Sequence, residues 1–220
     1  MTLDEKIGQM TQVEKNSIAP SAITKYFIGS ILSGGGGSPI SNTPQDWYAM
    51  VEGFQNEALV TRLGIPIIYG VDAVHGHGNL KNATIFPHNI GLGAANDPAL
   101  VEKIGRATSE EILATGIPWS FSPVIAVVQD VRWGRTYEGF SENTEIVASL
   151  GTAYIKGMQT LAASDAASPG QSLLALATAK HFLGDGATVW GSSRTERYKL
   201  DQGNNSKCSQ CLGRRMRKSR

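Results

Sequence analysis

The stretch Ile65-Pro66-Ile67-Ile68-Tyr69-Gly70-Val71-Asp72-Ala73-Val74-His75-Gly76-His77 decides how the chain is read. Gly64 precedes an apolar, β-branched run and Gly70 lies near its end, the pattern of a buried strand. That strand stops abruptly on a carboxylate and two imidazoles. A buried strand with a polar tip is how a parallel barrel builds a site, because its chemistry sits at the C-terminal ends of the strands.

Working outward, the same plan recurs. Upstream, Thr43 and Pro44 read as an N-cap with proline at the first helical position, and Trp47, Met50, Val51, Phe54, Ala58 and Leu59 form one apolar stripe. That helix feeds the strand. Further back, Phe27 to Leu32 is a strand candidate, followed by Gly34 to Gly37. No Gly-Lys-Ser/Thr follows these glycines and no helix starts directly after them, so they read as a strand-end loop rather than a phosphate cradle. Met1 to about Val13 is predicted as a helix, with Thr2 and Glu5 at capping-box spacing and Leu3, Ile7 and Met10 as its apolar side.

Downstream, residues 78–95 read as a Gly- and Asn-rich loop, and Asn96 or Asp97 with Pro98 caps a helix to about Thr115, closed by Gly116. Trp119 to Val124 is a third strand, running into the polar segment Asp130 to Glu138. From Ser141 a further helix carries Ile146, Val147, Leu150, Tyr154, Ile155 and Met158 on one face, and the loop from Ala162 to Gln171 is small and polar. Leu173 to Ala179 is a fourth strand, ending on Lys180, His181 and then Asp185. Strands alternating with helices predict an α/β fold with a parallel sheet. Four units reach Ala179, and eight take about 250 residues, so the prediction is a partial (β/α)8 barrel of the TIM type, roughly its first half. Such a half barrel leaves a strand edge and apolar faces uncovered.

Composition bounds the partners. The chain has 220 residues, 41% of them apolar, which is ordinary for a globular core. Residues 207–220 hold six of the twenty basic residues and none of the nineteen acidic ones, so 14 basic residues face 19 acidic ones before them, a net −5. The tail lacks aromatics and reads as solvated, which argues against nucleic acid as a partner. No apolar run approaches the roughly 20 residues that cross a bilayer, and no signal peptide pattern is present, so no membrane partner is expected and the compartment is left open. Cys208 and Cys211, the only cysteines, lie in the tail and form one weak Cys-x-x-Cys pair.

Among residues that carry chemistry, Asp72 gains weight from its place after a buried strand. His75 and His77 have the His-x-His spacing of metal-dependent hydrolases, but His88 and His181 are the only other histidines, so the set is poorly supplied for a metal. Arg135 and Glu138 are spaced for a structural ion pair, which is compatible with the arginine also holding a hydroxylated ligand. Lys180 and His181 are hard to explain as structure, since a buried strand avoids an uncompensated ammonium. No Gly-x-Ser-x-Gly elbow offers a serine nucleophile.

Five segments together carry a family likeness: Met1-Thr2-Leu3-Asp4-Glu5-Lys6-Ile7-Gly8-Gln9-Met10-Thr11-Gln12, Tyr69-Gly70-Val71-Asp72-Ala73-Val74-His75-Gly76, Ala83-Thr84-Ile85-Phe86-Pro87-His88, Arg132-Trp133-Gly134-Arg135, and Lys180-His181-Phe182-Leu183-Gly184-Asp185-Gly186. From Met1 to about Gly203 the chain resembles the N-terminal barrel domain of family 3 glycoside hydrolases, in particular the β-glucosidase and glucan exohydrolase branch. The resemblance implies a retaining glycosidase acting on a β-glucoside or β-glucan oligosaccharide, without cofactor or metal, through a nucleophilic carboxylate and a second acid/base carboxyl group. It implies that Asp72 accepts hydrogen bonds from the glycone hydroxyls and that Arg135, Lys180 and His181 supply donors to the same ring.

The departures set the limits of that expectation. The family's nucleophile follows a later barrel strand, and its acid/base group comes from further on. Neither segment is recognisable here, so no catalytic residue is assigned and the chain by itself is expected to be an inactive fragment. Residues 1–203 are read as the N-terminal part of a glycosidase barrel domain, and 204–220 as a basic, Cys-containing tail that is disordered or out of frame. The alternatives are a metal-dependent hydrolase using His75 and His77, and an inactive sugar-binding remnant.

Overall fold

The computed structural model describes residues 1–160 and 175–188. The expected loop from Ala162 to Gln171, the boundary at 203 and the tail 204–220 lie outside them. Five parallel strands, β1 (Gln12–Glu14), β2 (Ser30–Ser33), β3 (Ile68–Val71), β4 (Trp119–Ser120) and β5 (Leu176–Ala177), pair in strict chain order. Each neighbour pair is separated by one crossover, which is the plan of a barrel rather than of an open doubly wound sheet.

The helices form where caps and apolar stripes agree. Thr43 and Asp46 close a reciprocal capping box on α3 (Pro44–Leu59), which buries Trp47, Val51, Phe54 and Ala58. Asp97 accepts from the amides of Ala99 and Leu100 at the start of α5 (Pro98–Ala114), and Asn143 does the same for Glu145 and Ile146 at α6 (Thr144–Gln159). The outer faces of the strands, with Ile31, Tyr69 and Val71, pack against these helices to form one core, in which Trp47, Ile112, Leu150, Tyr154 and Met158 are essentially inaccessible. Gly157 on α6 allows the closest helix approach, since a Cβ there would lie 1.9 Å from the Glu102 carbonyl oxygen of α5.

Three expectations are corrected. The first helix, α1 (Leu3–Gln9), has its predicted capping box, but Gln12 to Glu14 leaves it to become the edge strand β1. The predicted apolar side of α1 is outside: Leu3, Ile7 and Met10 are 72%, 50% and 80% exposed. Its inner side is Glu5 and Gly8, the former bound through both carboxylate oxygens to Arg62 at 2.8 and 2.7 Å. Two short helices also fall where no helix was expected, α2 (Ser21–Tyr26) and α4 (Asn89–Ala95). Neither has a side-chain N-cap, and α4 carries two glycines, so tertiary contact rather than propensity holds them. The third predicted strand shortens to Trp119–Ser120, because Pro123 has no amide to offer the ladder.

The concave face of the sheet is open among the described residues. Register places Leu32, Gly70, Trp119 and Leu176 on one face and Ile31 with Tyr69 on the other. On the open side Ile68 and Leu176 are 47% and 52% exposed, as expected of a partial barrel. No helix among the described residues is long and apolar enough to cross a membrane.

Candidate sugar-binding site at the C-terminal strand ends

β3 ends at Val71, so Asp72 emerges at the C-terminal edge of the sheet, on the concave side by strand alternation. Across β4, the chain beyond β5 re-pairs with the segment after β4 through a bridge between Val124 and Lys180. That bridge brings Lys180 Nζ to 2.7 Å from Asp72 Oδ1, a contact between residues 108 apart in sequence. The ammonium is the more enclosed partner, with its side chain 12% exposed against 39% for the carboxylate. A sequestered cation needs such a partner, and Asp72 keeps an oxygen for other donors.

Arg135 and Glu138 come from the loop between β4 and α6, where Thr136–Glu138 forms a single 3-10 turn. Arg135 Nε and Nη2 donate to the two oxygens of Glu138 at 2.8 and 2.6 Å, a fork-to-fork pair. Burial raises the Glu138 carboxyl, but the hydrogen bonds and charge of Arg135, helped by Lys180, outweigh it and hold the group below its usual range. The turn is seated by α4: Asn89 Nδ2 donates to the buried Glu138 carbonyl at 2.8 Å. Gly93 lies so close to this segment that a Cβ would stand 1.6 Å from the Phe140 carbonyl oxygen.

His181 completes the group. Its Nε2 is 3.4 Å from Arg135 Nη1 and its Nδ1 is 2.7 Å from Asp185 Oδ2. All four residues expected from the sequence, Asp72, Arg135, Lys180 and His181, thus gather at one edge, in two linked pairs. Three carboxylates, Asp72, Glu138 and Asp185, face two fixed cations. The ion pair of Arg135 with Glu138 is the one their spacing predicts, whereas Asp185 has no role expected from the sequence, and Asn89, a short polar side chain inside a Gly-rich stretch, carries no signal of its own. Arg132 instead pairs with Asp130.

The two histidines of the metal reading part company. His77 is fully buried, with Nε2 3.2 Å from Thr115 Oγ1 and its ring edge-on to Trp47. His75 lies with Nδ1 3.2 Å from the Phe86 carbonyl and its ring 4.2 Å from that of His88, which in turn meets Tyr137. No group of three or more potential ligands able to hold a metal ion occurs among the described residues. The pair is better explained by these separate packing roles.

Parallel strands in chain order, with ionised side chains gathered at their C-terminal edge, define a partial (β/α)8 barrel domain with a polar edge. The chain belongs to glycosyl hydrolase family 3, whose N-terminal domain matches residues 2–206. It is 34% identical over 213 residues to a lysosomal beta glucosidase of Dictyostelium discoideum, covering 89% of this chain and 26% of that protein. Among solved structures, an exo-1,3/1,4-beta-glucanase from a Pseudoalteromonas species matches with a TM-score of 0.78 at 41% identity, over 88% of this chain and 24% of that one. A beta-glucosidase from Listeria innocua in complex with glucose matches with a TM-score of 0.64 at 29% identity, over 86% of this chain and 26% of that one. The chain therefore spans about a quarter of the length of these relatives.

Proposed function

We propose that this chain carries the glycone-binding part of a retaining β-glucosidase-like site, for the terminal glucosyl unit of a β-glucoside or β-glucan oligosaccharide. The observation that carries the reading is the meeting of Asp72 with Lys180, beside Arg135 and His181, at the catalytic edge of a family 3 barrel. Asp72 accepts hydrogen bonds from ring hydroxyls through its exposed oxygen. Lys180 and Arg135 donate to the same ring, and charge-assisted bonds of this kind fix its orientation. In a retaining reaction one carboxylate attacks the anomeric carbon while a second carboxyl protonates the leaving oxygen, and water later releases the sugar. We assign neither of those carboxylates to this chain. Its residues bind and orient the glycone, and the chain alone is expected to hydrolyse no glycoside.

Calorimetric titration of the protein with glucose tests this. Saturable binding that disappears in Asp72→Ala, in a variant shown by circular dichroism to stay folded, is the expected result. Glucose binding that Asp72→Ala leaves unchanged overturns the assignment. Turnover of an aryl β-glucoside that co-purifies with the chain would sink the claim of inactivity.

A further inference from the structure

Four side chains form one continuous hydrogen-bonded series at this edge: Glu138, Arg135, His181 and Asp185. The two ends are carboxylates, and the inner two are groups assigned above to the sugar. The chemistry of the partners gives the series a direction. A guanidinium only donates, so His181 Nε2, facing Arg135 Nη1 at 3.4 Å, is an acceptor. An ionised carboxylate only accepts, so His181 Nδ1, 2.7 Å from Asp185 Oδ2, carries the proton. A second proton on Nε2 would set N–H against N–H.

The outer carboxylates are better enclosed than the groups they hold. The side chains of Asp185 and Glu138 are 9% and 11% exposed, against 38% for His181 and 41% for Arg135. Glu138 occupies Nε and Nη2 of Arg135 and so aims the remaining Nη1 at the imidazole. Asp185 does the equivalent for His181, selecting the tautomer opposite to the one a free histidine prefers in water.

We propose that Glu138 and Asp185 are positioning residues that present a donor, Arg135 Nη1, and an acceptor, His181 Nε2, side by side to one hydroxyl of the sugar. A hydroxyl satisfies both, because it accepts and donates at once. A fluorine in its place only accepts, so the bond that the hydroxyl proton makes to Nε2, in place of the long contact with Arg135, is lost. His181 is then an acceptor, where the family resemblance implied a donor. The selection of a hydroxyl rests on Arg135 and His181 being sugar ligands; the tautomer does not.

Nitrogen-15 NMR of the protein labelled in its histidine rings tests the positioning without any sugar, with His181 assigned by the signals lost in His181→Gln. The expected spectrum shows His181 protonated at Nδ1 and bare at Nε2 at neutral pH. Asp185→Asn, whose carboxamide oxygen still accepts, keeps that pattern, and Asp185→Leu moves the proton to Nε2, because the 3.4 Å contact with Arg135 is too long to hold the tautomer without the 2.7 Å bond to the carboxylate. A wild-type His181 protonated at Nε2, or an Nδ1 proton that survives Asp185→Leu, overturns the proposal. Glucose and its singly deoxyfluorinated analogues are then titrated against the same protein. One fluorinated position should bind about tenfold more weakly, the worth of one hydrogen bond, and that penalty should vanish in Asp185→Leu. Equal binding of all analogues overturns the hydroxyl selection. Absence of any glucose binding, with the tautomer result intact, refutes the sugar reading and leaves the positioning standing.

Discussion

Asp72 and Lys180 share one ion pair but not one environment. Deleting the carboxylate strands an ammonium whose side chain is 12% exposed, whereas deleting the ammonium leaves a carboxylate that water still reaches. Asp72→Asn should therefore cost about 1–2 kcal/mol of stability and Lys180→Met less than about 1, a difference readable from urea midpoints. Two other residues govern acid behaviour. Burial holds the His77 imidazole down to about 4, against a smaller pull from Glu111. The unfolded chain then binds the extra proton first, so stability falls as pH drops from about 6.5 towards 4, by about 3 kcal/mol in all. Glu5 is held down to about 2 by its hydrogen bonds with Arg62 and the Thr2 amide. Its contribution is fully present above about 4.5, the ordinary carboxyl value, and is lost as pH falls through about 2. Denaturation across this range should show both losses, with His77→Gln flattening the upper one and Arg62→Leu the lower.

At the scale of elements, α4 is the one whose formation depends most on its neighbours. Its sequence, Asn89-Ile90-Gly91-Leu92-Gly93-Ala94-Ala95, has two glycines and no capping side chain, yet it seats the turn that holds Arg135. Asn89→Ala leaves the buried Glu138 carbonyl without its donor and should cost about 1–3 kcal/mol. Sugar binding should weaken along with stability, as read by calorimetry and denaturation on the same variant. Gly157→Ala tests the α5–α6 crossing, where the added carbon meets Glu102 backbone and must part the helices, at about 1–3 kcal/mol or more. The elements legible beforehand were those in which a cap and a stripe coincide: Thr43 and Pro44 for α3, Asp97 and Pro98 for α5. In α1 the cap was legible and the buried face was not. An apolar stripe says which side prefers to leave water, but Gly8 is the residue that lets the Tyr26 and Phe27 carbonyls approach.

For the molecule as a whole, one core joins the outer faces of the strands to the helices, while the concave side of the sheet stays open among the described residues. Leu150 lies at the centre of that core, fully buried, so Leu150→Ala should cost about 2–5 kcal/mol in a cooperative melt. Amide exchange should be slowest in β2 and β3, which pair on both sides, and faster in β1, which among the described residues pairs on one.

The sequence by itself determined the kind of fold, the placement of its main helices and strands, and the identity of the four polar residues expected at the strand ends. Those features are local: a cap binds within three residues, a strand's apolar run is contiguous, and a motif is read in place. Only the tertiary structure decided that β1 is a strand, that α4 is a helix and that Asp72 reaches Lys180. It likewise decided that Arg135 meets His181, 46 residues further along the chain. Each of these depends on partners brought together from distant positions by the parallel crossovers, and such partners leave no periodicity in the chain that carries them.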